Sequence, residues 1–348
     1  MLEELVELLR VPGVSGFESR IRESIRSKVD SICDTRVDGM GNLYATIGSG
    51  NNHLLLVAHM DEVGMVVSKI EENGFLRFRK VGGIDDRTLL GRVVTVYTRC
   101  GELKGVIGVL PPHLMKDPAS EMKEVPSADD MVIDVGCQSK KEAEEACISI
   151  MDPIIFDKNI IQMRNEVLCA RSLDDRVGCL ALIEVLRKIE RVDKLKMTFV
   201  WSVQEEVGLR GARVAALKER PDFVIAVDTC SATDFPCAPE HLEKIALGSG
   251  PVVRYMDNKS IASPAFVDFV RNLAERENIP IQIGISGGST DGAVAQEFGS
   301  VMVPLCVPVR YTHSPVECVH LMDVKNLVIL LEKIIKSFEE GMPTGGLI

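Results

Sequence analysis

No two of the ten cysteines stand in a C-x-x-C pair, which leaves a zinc ribbon or a thioredoxin-type redox motif without support. No apolar run approaches the roughly 18–20 residues that a membrane-spanning helix needs. Lys and Arg are not clustered, and 40 of them face 51 Asp and Glu, a formal charge of −11. That balance argues against a protein whose main task is to grip nucleic acid. Internal repeats, low-complexity tracts and Pro/Gly/Ser linkers are also missing, so neither a solenoid nor a flexible tandem arrangement is indicated. The opening MLEELVELLR has neither the basic nor the apolar stretch of a secretory signal, and the expected compartment is the cytoplasm. The cysteines, several of them inside apolar runs such as CLALIEVL and VPLCVPV, are then expected as reduced structural thiols.

What the chain has is 348 residues, 46% of them hydrophobic and 26% charged, enough for about two domains' worth of packed core. Residues 1–30 read as helix, broken at Pro12-Gly13 and restarting near Ser19. HLLLVA (53–58) is a continuous apolar run of the kind a strand buried on both faces requires. Between about 64 and 165 the pattern becomes short strands with glycine-containing turns (MVVSKI, FLRFRK, RVVTVYT, LKGVIGVL, MVIDVG), interrupted by one helical stretch, SKKEAEEAC. Beyond 170 strand and helix alternate: the amphipathic helix RVGCLALIEVLRKIE, then MTFVWSV, GARVAALKE, DFVIAV, PAFVDFVRNLAEREN, PIQIGI, DGAVAQEF, VMVPLCVP and DVKNLVILLEKIIKSFEE. Alternation of this kind predicts a mostly parallel sheet flanked by helices. The fold class is therefore α/β, with a discontinuous domain of residues 1–63 and 166–348 interrupted by a β-rich, barrel-like module at 64–165.

In an open α/β sheet, chemistry collects at the carboxyl ends of the strands. HLLLVA runs into His59-Met60-Asp61, MTFVWSV into Gln204-Glu205-Glu206, DFVIAV into Asp228-Thr229, and VMVPLCVP into Arg310-Tyr311-Thr312-His313. Ser172-Leu173-Asp174-Asp175 precedes a helix. Each alone has a structural explanation: Asp174 or Asp175 as a helix N-cap, Glu205-Glu206 as a solvated turn, Asp228 as a turn cap, His313 as an ordinary packed histidine. Together, two histidines and several carboxylates on one sheet edge suit a pair of divalent metals with nitrogen and oxygen ligands, among them Zn²⁺, Co²⁺ or Mn²⁺. His59-x-Asp61 fits an imidazole oriented from behind by a carboxylate, and adjacent Glu205 and Glu206 permit one to bind metal while the other takes a proton.

AHMDEVG, SLDDRVG, QEEVGLRGA, AVDT and RYTHSP, in this order and spacing, resemble the M42 family of metalloaminopeptidases, also called the glutamyl or tetrahedral aminopeptidase family. VGGID, GRVVTVYT, GVIGVLPPHL and IDVGCQSKKEAEE are similar to that family's inserted dimerisation domain. The resemblance implies two divalent ions per subunit, zinc or cobalt with manganese as a further option. His59 and Asp228 would hold one, Glu206 and His313 the other, with Asp174 bridging; Glu205 would be the general base and Asp61 the partner of His59. It further implies peptide substrates trimmed at the N-terminus, and a homo-oligomer built through the inserted module, up to a dodecamer, with neither nucleic acid nor membrane as a partner. Thr290 and Asp291 in ISGGSTDG, and Arg310, are candidates for the substrate pocket, with Gly292 standing where the family has alanine; no lysine follows these glycines, so a phosphate loop is not indicated. A neutral side chain such as leucine is the expected preference, since no basic cluster accompanies the motifs. The alternatives are a related metal hydrolase of carboxypeptidase or deacylase type and, further off, a two-carboxylate glycoside hydrolase.

Overall fold

The computed structural model describes residues 1–157, 159–189, 192–341 and 347. Strands β1 (Thr35–Val37), β2 (Leu43–Gly48) and β3 (Asn52–His59) come first. β4 (Gly64–Ile70), β5 (Leu76–Val81), β6 (Val93–Thr98), β7 (Gly101–Ile107), β8 (Ile133–Asp134) and β9 (Pro153–Phe156) follow and close into a barrel in the order β4-β5-β8-β7-β6-β9. After β10 (Ile161–Gln162) and β11 (Val167–Ala170) come β12 (Leu195–Ser202), β13 (Phe223–Ser231), β14 (Val252–Met256), β15 (Gln282–Ile285), β16 (Val301–Val309) and β17 (Glu317–His320).

The large sheet has eight strands in the order β1-β2-β12-β3-β13-β16-β14-β15. Its centre, β12-β3-β13-β16, is parallel throughout, while β2 and β14 run antiparallel to their inner neighbours β12 and β16. β3 shows why the centre reads as one unbroken apolar run. Leu54, Leu56 and Ala58 point into the core beneath helices Leu2–Arg10, Ser19–Val29, Leu173–Lys188 and Leu321–Glu339. Leu55 and Val57 point the other way, onto helices Arg210–Glu219 and Gly292–Gln296. The helix Leu173–Lys188 differs from expectation: it is buried on nearly every side rather than along one stripe, because it lies between the sheet and other helices.

Three strand regions were not legible. β1 is a three-residue, mostly exposed edge strand, β2 is buried only over Leu43–Ala45, and β14 is only five residues long. β10, β11 and β17 form a separate three-stranded sheet that pairs residues about 150 positions apart. The expectation of reduced cysteines is also corrected. Cys100, in the β6–β7 turn, is joined by a disulfide to Cys147 beyond helix Lys140–Glu145, while the remaining eight are free. The two meet because that helix packs back over the barrel, a proximity that 47 residues of sequence separation conceal. Among the described residues, no helix is long and apolar enough to cross a membrane.

Candidate active site

The four adjacent parallel strands deliver their carboxyl ends to one edge. His59 ends β3 opposite Ser202 of β12, Glu205-Glu206 follow β12, Asp228 lies near the end of β13, and His313 follows β16. Asp174 enters from the start of the buried helix, where its backbone is not yet helical.

Asp174 lies between the two histidines. Its Oδ1 is 3.2 Å from His59 Nε2 and its Oδ2 is 3.6 Å from His313 Nε2. His59 Nε2 is also 3.9 Å from Asp228 Oδ1, and His313 Nε2 is 3.2 Å from Glu206 Oε2. Each imidazole turns its Nδ1 outward to a backbone carbonyl: His59 to Asp61 at 3.2 Å, His313 to Gly83 of the barrel segment at 3.1 Å. Donation from Nδ1 leaves the Nε2 lone pairs aimed at the carboxylates, the tautomer a metal ligand requires. Asp61, fully buried, does more than back His59. It accepts from Ser15 Oγ at 2.5 Å and from the backbone N–H groups of Glu205 and Glu206 at 3.0 and 3.2 Å, which fixes the acidic turn.

The electrostatics of the cluster are unbalanced. Burial, with Asp174 next to it, pushes Asp228 up to about 8. Burial likewise raises Glu205 well above the carboxylate range, and Glu206 is raised too, although His313 opposes the shift. Asp174 and Asp61 are held low because their contacts with His59 outweigh their burial. His313 is pushed up to about 10: burial disfavours its charge, but Glu206 and Asp174 overcome it. So many buried carboxylates around two imidazoles need more positive charge than the side chains provide. Two groups of ligand atoms lie within 4.8 Å of one another, His59/Asp174/Glu206 and His59/Asp175/Asp228. Buried Asp175 Oδ2 has no hydrogen-bond partner. Hard carboxylate oxygens with two imidazole nitrogens fit divalent zinc, cobalt or manganese.

A family model described as M42 glutamyl aminopeptidase matches residues 41–330, a span that includes every side chain of this cluster. The chain belongs to the M42 aminopeptidase family. The lysyl aminopeptidase of Pyrococcus furiosus is 33% identical over 97% of this chain and 97% of its own. The glutamyl aminopeptidase of Lactococcus lactis is 30% identical, covering 97% and 96%. Among solved structures, the Pyrococcus horikoshii TET1 peptidase superposes with a TM-score of 0.89 at 41% identity, over 96% of this chain and 98% of that one. M42 proteins are metal-dependent peptide hydrolases acting on N-termini, and the carboxypeptidase, deacylase and glycosidase alternatives are not favoured.

The cluster of the M42 chain opens into a cavity of about 630 Å³. The pocket candidates from the sequence do not line this cavity, although Asp291 lies close enough to act on the charge of Glu205 and His59. Thr290 is fully buried, Asp291 is taken by the Ser202 hydroxyl, and Arg310 forms a two-pronged ion pair with Asp234 at 2.7 and 2.6 Å. The wall opposite the carboxylates is made instead by Ser286–Ser289 and by Arg254, Asn258 and Lys259. These two loops are tied together. Asn258 N donates to Gly288 O at 3.1 Å, Arg254 reaches Gly287 O, and Asp257 Oδ1 accepts from the N–H groups of Lys259 and Ser260 at 2.8 and 2.7 Å.

Sequence reasoning also missed the supporting residues. Glu317 is 1% exposed and bonds the backbone of both Asp174 and His313. Glu62 pairs with the buried Arg171 and Arg176 behind His59. The available signal was a lone carboxylate heading the apolar strand ECVH, and two arginines flanking SLDD, where solvent exposure is the usual reading.

Proposed function

We propose that this M42 chain removes N-terminal residues from peptides, with Glu205 as the proton-transfer group and with His59, Asp174, Glu206, Asp228 and His313 holding two divalent ions. The observation that carries the proposal is Asp174, whose two oxygens face the two Nε2 atoms separately, as a bridging carboxylate must. The ion pair, when bound, supplies an acidified water and a Lewis acid for the scissile carbonyl. The chain's own residues do the rest. Glu205, beside the metal ligand Glu206 and raised by burial, accepts the proton of the attacking water and returns it to the leaving amine. Asp61 is a positioning residue that holds His59 and the Glu205-Glu206 backbone in register.

The side-chain preference follows from the opposite wall. Arg254 is buried, with its Nε 3.8 Å from Asp257 Oδ2, and Lys259 stands exposed at the cavity. Two cations there favour acidic N-terminal residues over the neutral ones expected from sequence; the motifs carry no basic cluster because these residues lie on separate loops.

The segment 64–165 is assigned as the inserted dimerisation domain, and 1–63 with 166–348 as the catalytic domain. Support comes from exposed apolar side chains on or beside the barrel, among them Val106, Val109, Leu114 and Met122, the last two 71% and 65% exposed. The horikoshii relative assembles into a tetrahedron or an octahedral shell, and a dodecamer is the assembly proposed for this chain, working on peptides in the cytoplasm. A panel of aminoacyl p-nitroanilides, measured before and after chelation and zinc or cobalt reloading, tests the reading. N-acetylated substrates that turn over as fast as free ones, or full activity after complete metal removal, would overturn it. Light scattering that returns a 38.2 kDa monomer would remove the assembly.

A further inference from the structure

A second cavity, of about 360 Å³, lies behind the catalytic turn, at the seam between the loop joining the first two helices and the barrel. Its polar wall is made by Glu18, Arg20, Arg22 and Gln204, and Phe17 and the barrel residue Tyr97 supply apolar surface. Glu18 is 5% exposed. Its Oε1 accepts two backbone N–H groups, from Gly16 at 2.7 Å and from Gln204 at 3.1 Å. Its own backbone N–H also contributes to the carboxylate, and Glu18 forms no ion pair among the described residues. Burial, with Asp61 adding negative charge, pushes this carboxyl up to about 7, the behaviour of an acid that lacks a cation. Arg22 stands one helical turn on and lines the same cavity without pairing with Glu18. It reaches Gly41 O at only 3.4 Å, and its buried Nε makes no hydrogen bond, lying 3.5 Å from Oε1 of the exposed Glu23. Arg20, exposed at the rim, lies with its guanidinium 5.1 Å from the Tyr97 ring centre.

A carboxylate bonded only to backbone N–H groups and two guanidinium groups, lining one small cavity with Phe17 and Tyr97, match a molecule that carries a cation and an anion a few ångströms apart. We propose that this cavity binds a free α-amino acid, its ammonium on the Glu18 carboxylate and its carboxylate on Arg22 and Arg20. This is the class of molecule that an aminopeptidase releases, but the recognition follows from the cavity alone. Glu18 also holds Gln204, whose φ is +56° and which immediately precedes Glu205, so an occupant of the cavity touches the residue that positions the catalytic turn.

The test is isothermal titration of L-leucine into the full-length metal-loaded protein, compared with Arg22→Glu and Arg20→Glu. Each variant should lose one binding event per chain relative to wild type, or weaken it at least tenfold. Isopentylamine, lacking the carboxylate, and 4-methylpentanoate, lacking the amine, should not fill this site. Arg20 is exposed, so its substitution keeps the comparison available if Arg22→Glu fails to fold. The same number and strength of binding events in the wild type and the folded variants would overturn the proposal. So would wild-type protein that binds no leucine at all, whatever its peptidase activity.

Discussion

Glu317 binds Asp174 to His313 through the backbone: Oε2 accepts the N–H of Asp174 at 3.1 Å and Oε1 that of His313 at 2.7 Å. One buried carboxylate thus sets the spacing between two segments 139 residues apart in sequence that face each other across the histidine–carboxylate cluster.

That double acceptance cannot be reproduced by an amide, which offers one oxygen for two donors. Glu317→Gln is expected to weaken metal binding about tenfold, and Glu317→Ala by up to about 100-fold, the range seen when support behind metal ligands is removed. Chelator competition on the purified variants measures this. Unchanged affinity in both would show that the two segments are held apart by packing instead.

Glu205→Gln separates metal binding from proton transfer. The variant should keep the wild-type metal content, because Glu205 is not among the proposed ligands. Its kcat should fall by about 10²- to 10⁴-fold, the usual contribution of a positioned acid–base group. Metal analysis and steady-state kinetics on one preparation give both values. Loss of metal together with activity would instead place Glu205 among the ligands.

Charge reversal at Lys259 tests the pocket. Lys259→Glu should shift the ratio of kcat/KM for glutamyl over lysyl substrates towards lysyl, on the order of 100-fold, since a like charge opposite a buried ligand charge costs several kcal/mol. The loop itself should survive, because its geometry depends on Asp257 and on the backbone of residue 259 rather than on the lysine side chain. A ratio that does not move would assign the preference to Arg254 or to neither.

The histidine–carboxylate cluster was legible from sequence because each proposed ligand lies at the end of an apolar strand or opens a helix, and parallel strands must end at one edge. His59, Glu205, Asp228 and His313 were placed by that rule alone. Side chains that act across the fold were not. Glu317 is a single acid at the head of a short strand whose partner, β11, precedes it by about 150 residues. Thr290 and Asp291 follow the glycines that do face the cavity, and a shift of one or two positions in a loop turned wall residues into buried ones. Arg310 lies three residues before His313 in sequence, but Asp234 claims it. Periodicity describes which face a residue takes, not which distant group it meets.

Glu18 makes folding stability depend on pH in a direction opposite to that of a salt-bridged acid. Its carboxyl titrates near 7 in the folded chain against an ordinary value of 4.5, so between these the folded state holds a proton that the unfolded state has lost. The group's contribution is fully present below about pH 4.5 and is lost as pH rises to about 7, with a ceiling of about 3 kcal/mol from a shift of this size. Glu18→Gln retains an oxygen for the N–H groups of Gly16 and Gln204 and removes the ionisation. The variant should therefore unfold at a higher temperature than wild type at pH 8, with the gap closing towards pH 4.5, in buffer free of amino acids. Saturating L-leucine should narrow the pH 8 gap from the wild-type side, because the bound ammonium supplies the cation that the buried carboxylate lacks. Thermal unfolding of both proteins at several pH values measures these effects, and a gap that stays constant with pH would show that Glu18 is ionised in the folded chain throughout that range.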